Sequence, residues 1–109
     1  MAAFDDFVSS IISGSKGLAQ ETLQGFIAQA QSDTTDFLNR SKQNLRDWTN
    51  QLALGQLSQD EFTDLALGLK DIAVMRALTQ AGIAAASVQR FRDALFKLVI
   101  DTAFKTFLP

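Results

Sequence analysis

The chain has 109 residues, 47% apolar and 20% charged, with a formal net charge of −2. That bounds it to one domain with a buriable core and excludes a polyelectrolyte drawn as a whole to DNA or to an anionic membrane. Cysteine, histidine and tyrosine are absent, which excludes disulfides, thiolate and imidazole metal ligands, and the commonest nucleophiles and general bases.

Pro109 is the only proline, so nothing upstream of it interrupts a helix in the way proline does. Asp5 and Asp6 stand where a secretory signal needs positive charge. The uncharged runs at residues 77–89 and 22–32 are shorter than the roughly 20 apolar residues of a membrane span. Neither a signal peptide nor a transmembrane segment is expected, and the cytoplasm is the default location.

From Phe4 onward, apolar and small residues recur in steps of three and four. The stripe is Phe4, Val8, Ile11, Ser15, Leu18, Thr22, Phe26 and Ala30, then Phe37, Ser41, Leu45, Trp48 and Leu52. Phe7, Ile12, Leu23, Ile27 and Leu38 widen it. This spacing predicts an amphipathic helical arm over about residues 4–53, with Trp48 in its core face.

Residues 13–17, "SGSKG", lie inside that arm. Ile11 and Leu18 stay in phase across them, which predicts a helix running through; the alternative is a break. Gly14 and Gly17 weaken such a helix by about 1 kcal/mol each relative to alanine. They follow Ser10 and Ser13 at four-residue spacing, a pattern that lets a second backbone approach closely. A phosphate loop does not fit, because no strand precedes and the order is Ser-Lys-Gly.

A turn is predicted at about 54–58. Gly55 suits the position past a helix end. Ser58 and Glu61 form a capping-box pattern, with Asp60 adding negative charge to the new helix's first turn. The second arm covers about 59–107. Phe62, Leu65, Leu69, Ile72 and Arg76 make one stripe; Leu67, Val74, Leu78, Ala81 and Ala85 make another. Over 81–87, either Gly82 ends a helix and Ser87 caps the next, or the alanines carry it through. In the last segment Asp93, Lys97, Asp101 and Lys105 form an alternating ladder on one face. Phe91, Leu95, Phe96, Leu98, Val99, Ile100, Phe104 and Phe107 fill the rest, so this helix needs cover on more than one side.

The expected fold is all-α: a long helical hairpin packed as a coiled coil, or a small helix bundle of two to four helices, completed by oligomerisation. An unbroken arm would be roughly 75 Å long. Residues 33–76 hold 12 of the 22 charged residues, against four in 1–32 and six in 77–109. The poorly charged segments meet at the open end of the hairpin. The expected partner or oligomer interface is therefore Phe4, Val8, Ile11, Gly14, Gly17, Leu18, Phe96, Val99, Ile100, Phe104 and Phe107.

No catalytic, cofactor or metal site is expected. The carboxylates at Asp60, Glu61 and Asp64, and at Asp33 and Asp36, read as helix N-terminal acids and solvated faces. Ser41 and Lys42 are adjacent and face apart, so they make no Ser–Lys pair. Arg76, Arg90, Arg92 and Lys97 are the one basic cluster, too small for a nucleic-acid surface. The small secreted WXG proteins are similar in size and shape, but Trp48-Thr49-Asn50 lacks their glycine and there is no tyrosine for their export signal, so the likeness ends there.

The leading expectation is a non-enzymatic, self-associating structural or adaptor protein, such as a subunit of a bacterial or phage assembly. Its partners would be further copies or a helical protein, not nucleic acid. The alternatives are an amphipathic hairpin on a membrane surface and a bundle that binds an apolar small ligand.

Overall fold

Helix α1 spans Ala2–Leu23 without interruption, through residues 13–17. Its buried line is Phe4, Phe7, Ile11, Ser15, Ala19 and Leu23, with Val8, Ile12 and Leu18 partly buried beside it. Ser15 tolerates burial because its hydroxyl donates to the Ile12 carbonyl at 2.6 Å. The structure, a computed structural model, describes residues 2–108, with side chains from residue 3 onward.

The chain then reverses in three residues. Gln24, Gly25 and Phe26 all have positive φ, 55°, 137° and 55°. Only glycine adopts such angles without a steric penalty. Helix α2 follows (Ile27–Arg40) and, after a one-residue break at Ser41, helix α3 (Lys42–Ala53). Buried Ser41 donates its hydroxyl to the Phe37 carbonyl at 2.6 Å, a bond that bends helices at such positions. Thr34 and Thr49 are buried on the same principle, donating to Ala30 and Leu45.

Helix α4 (Gln59–Leu67) starts at the capping box. A 3₁₀ turn (Gly68–Ile72) continues it, Met75 turns the chain with φ 54°, and a five-residue helix α5 (Arg76–Gln80) follows. Gly82 has φ 82°, and helix α6 runs Ala85–Phe107. Its N-cap is Ala84 rather than Ser87, whose hydroxyl instead accepts from Arg90.

Helices α1 and α6 are antiparallel and form the centre: Gly14 faces Leu98, and the Phe7 and Phe107 rings meet edge-on at 5.6 Å. Helix α2 returns along α1, so Leu38 and Lys42 lie beside Phe4 and Val8. It also reaches α6, with Phe37 and Phe96 centroids 5.0 Å apart. Helix α4 covers α6 from another side through Phe62 and Phe104, at 5.9 Å. The final helix thus receives its several-sided cover from this chain.

Two expectations need correction. Among the described residues there are five α-helices of nine residues or more, plus α5, instead of two to four. It measures 42 × 24 × 21 Å, far shorter than a 75 Å hairpin. The arms fold back on themselves, at 24–26 and again at 68–75, where the stripes kept helical phase but the backbone did not.

Asp33 overturns a third. It was expected on a solvated face, yet it is only 5% exposed. Its carboxylate reaches from α2 to α5 and accepts the Ala77 and Leu78 backbone N–H groups, both at 2.8 Å. Met75, at the N-cap of α5, supplies no side-chain cap, so Asp33 does that work from another helix.

Asp33→Ala leaves two backbone donors of α5 without an acceptor and should cost about 2–4 kcal/mol in urea unfolding. Asp33→Asn keeps one acceptor and should lose roughly half as much. Gly17 has open space around it, so Gly17→Ala should stabilise by about 1 kcal/mol. A Cβ on Gly14 would sit 2.8 Å from Leu98 Cδ2. Gly14→Ala should therefore fall short of Gly17→Ala by at least about 1 kcal/mol, since Leu98 must turn aside.

Candidate interaction surfaces

The residues expected at an interface lie mostly inside this chain's own core. Phe4, Ile11, Phe96, Val99 and Ile100 are buried, and Gly14 packs against Leu98. Val8, Leu18, Phe104 and Phe107 are partly buried against the core. Gly17 faces outward with nothing within 4 Å of an added Cβ. What remains available is a different set: Phe26, Leu54, Leu67 and Val74, exposed by 46%, 62%, 40% and 50%.

A cavity of about 440 Å³ lies between the start of α1, helix α3 and the end of α6. Phe4 and Phe107 contribute its apolar wall, with Arg46 and Asn50 on its polar side. The Arg46 guanidinium sits 5.0 Å from the Phe4 ring centroid, a cation–π contact between two of its lining residues. Thr49 also lines it, but its hydroxyl is committed to Leu45 and Arg46 carbonyls.

A second cavity, about 330 Å³, opens at the α5–α6 corner between Val74, Thr79, Ile83, Val88 and Arg92. The backbone explains it. With Met75 at φ 54°, Met75 turns into the core while its neighbour Val74 points out. The turn at 81–84 then brings Ile83 and Val88 opposite Val74. Arg92 is partly buried, and its Nε–H is sealed from solvent with no acceptor. No other side-chain nitrogen or oxygen among the described residues is in that state. The neighbouring Arg90 is satisfied by Ser87 Oγ at 3.0 Å.

The acids behave differently. Asp60, Glu61 and Asp64 are all exposed on α4. Glu61 is engaged in the capping box: the Ser58 N–H donates to its Oε1 at 2.9 Å, and the Glu61 N–H donates to Ser58 Oγ at 3.1 Å. The Ser58 backbone N–H first, and the Ser58 side chain after it, hold the Glu61 carboxyl below the usual glutamate range. In the α6 ladder Asp93, Lys97, Asp101 and Lys105 are exposed, but Asp93 pairs across to Lys70 at 3.2 Å. Among the described residues no group of three or more acidic side chains could hold a metal ion, and no helix is long and apolar enough to cross a membrane.

The sequence discloses Arg92 as one of a set of basic residues but not its apolar setting, because Val74 and Val88 belong to segments separated by α5 and two turns. Comparison of the chain with protein-family models, curated proteins and solved structures finds no match.

Glu61 stabilises the fold in its charged form. Its contribution is present above the unfolded-state pKa and is lost as pH falls through the lower folded value. Glu61→Gln should therefore lower thermal stability at neutral pH, and the gap to the parent should close on acidification through the carboxylate range. Melting temperatures measured from pH 7 downward check this.

Proposed function

We propose that the chain is a non-enzymatic helical protein that works by self-association, as a structural or adaptor subunit. The observation that carries this reading is the placement of large apolar side chains left outside a core that is already complete. Phe26 is the N-cap of α2, Leu54 the C-cap of α3, Leu67 the last residue of α4, and Val74 precedes α5. Each is at least 40% exposed. Covering such groups against another surface releases about 25 cal/mol per Å² of apolar area. Because α1 and α6 cover each other, association is not needed to finish the fold; it is free to serve as the function.

The bundle that binds an apolar ligand is the second reading, supported by the cavity of about 440 Å³ lined in part by Phe4, Phe107 and Arg46. Native mass spectrometry of purified protein would show retained mass if it holds. A membrane-surface role asks α1 to lift Phe4, Phe7 and Ile11 out of the core, at about 1.5–3 kcal/mol per large side chain exposed.

Light scattering coupled to size exclusion, across a range of loading concentrations, tests the leading reading. The expected result is a mass that rises with concentration to a multiple of the 11.9 kDa chain. A single monomeric mass throughout removes it.

A further inference from the structure

We infer that the arginine corner at α5–α6 of one copy receives the outer face of α4 from a second copy, giving a head-to-tail contact. The inference rests on the self-association reading and specifies the surfaces it uses.

The receiving side has three properties. The residues that line its cavity include a cation, Arg92, and no Asp or Glu, in a chain whose net charge is −2. Arg92 has no carboxylate partner; the ion pairs among the described residues are Asp36–Arg40 and Lys70–Asp93. Its guanidinium also borders an apolar cavity whose rim is the half-exposed Val74. A guanidinium without a carboxylate partner, next to uncovered aliphatic surface, suits a ligand that is both anionic and apolar.

Helix α4 displays that combination. Asp60, Asp64 and Leu67 fall at steps of four and three, so they share one face, and all three are exposed. Asp60 and Asp64 have no cation partner among the described residues. Glu61, the third acid, is held by Ser58. Leu67 lies one turn from Asp64, so this face presents an apolar group beside a carboxylate, as the corner presents Val74 beside Arg92. The chain therefore carries both halves of one complementary contact, positive and negative, each with an uncovered aliphatic group. Charge complementarity is what selects a second copy as the occupant.

The two halves are different surfaces, so the contact is heterologous. Each added copy leaves one free corner and one free α4 face, and assembly proceeds to a ring or a filament. It weakens with salt, because the charges at its rim are screened.

Sedimentation velocity on the full chain tests this with Arg92→Glu, Asp64→Arg and Leu67→Ser. Asp64 and Leu67 are exposed, so those two variants keep the fold, as circular dichroism and urea midpoints would verify. Each variant alone is expected to raise the concentration needed for assembly at least tenfold. Mixing Arg92→Glu with Asp64→Arg restores both kinds of contact and should recover alternating assemblies. If the parent assembles but Asp64→Arg and Leu67→Ser assemble equally well, this contact is wrong while self-association stands. A well-folded mixture that stays monomeric also overturns the contact. A parent that is monomeric at every concentration overturns both.

Discussion

The carboxylate of Asp33 joins parts of the chain that would otherwise have no reason to meet. Helix α5 has five residues, too few to hold itself together in water. Its N-cap residue, Met75, is in the left-handed region and offers no side-chain acceptor. Two 2.8 Å bonds from Asp33 fasten its first turn to α2. That fastening fixes where the crossover from α4 ends and where α6 begins. Because α6 begins there, it can run the full length of α1 in the opposite direction and bury Phe91, Leu95, Phe96 and Val99.

The core that results mixes apolar groups with hydroxyls. Ser15, Thr34, Ser41 and Thr49 are buried, and each hydroxyl donates to a carbonyl three or four residues back. A small side chain whose polarity is satisfied within its own helix occupies little room, so neighbouring helices approach closely. Gly14 does the same for Leu98. The close approach of α1 and α6 covers much of both helices from within the chain, while Leu67 and Val74 stay exposed.

Local signals and non-local ones differ in how far the sequence discloses them. The capping box at Ser58 and Glu61 was legible because both partners sit within one turn. Helical continuity through 13–17 was legible from the phase of Ile11 and Leu18. The reversal at 24–26 was not, because Thr22, Phe26 and Ala30 keep four-residue steps on either side of a corner that only backbone angles reveal. Asp33 occupies the gap between Ala30 and Phe37 on the buried stripe. Its spacing announced burial while its charge argued against it, and the deciding groups, Ala77 and Leu78, lie more than forty positions away. The arginine corner is hidden for the same reason, since its apolar walls come from segments separated by α5 and two turns. Periodicity also said that α6 must be covered without saying by whom.

The first turn of α1 and the last turns of α6 lie side by side, as the contact of Phe7 with Phe107 shows. The order in which the helices are strung is therefore separable from the way they pack. A short bridge between those two ends, with the chain opened between α3 and α4, would leave every helix where it is. The loop-closure entropy would be redistributed while the packed contacts stayed the same. In such a rewired chain the capping box of α4 would become the beginning of the protein, and the acidic face would stand at its leading edge.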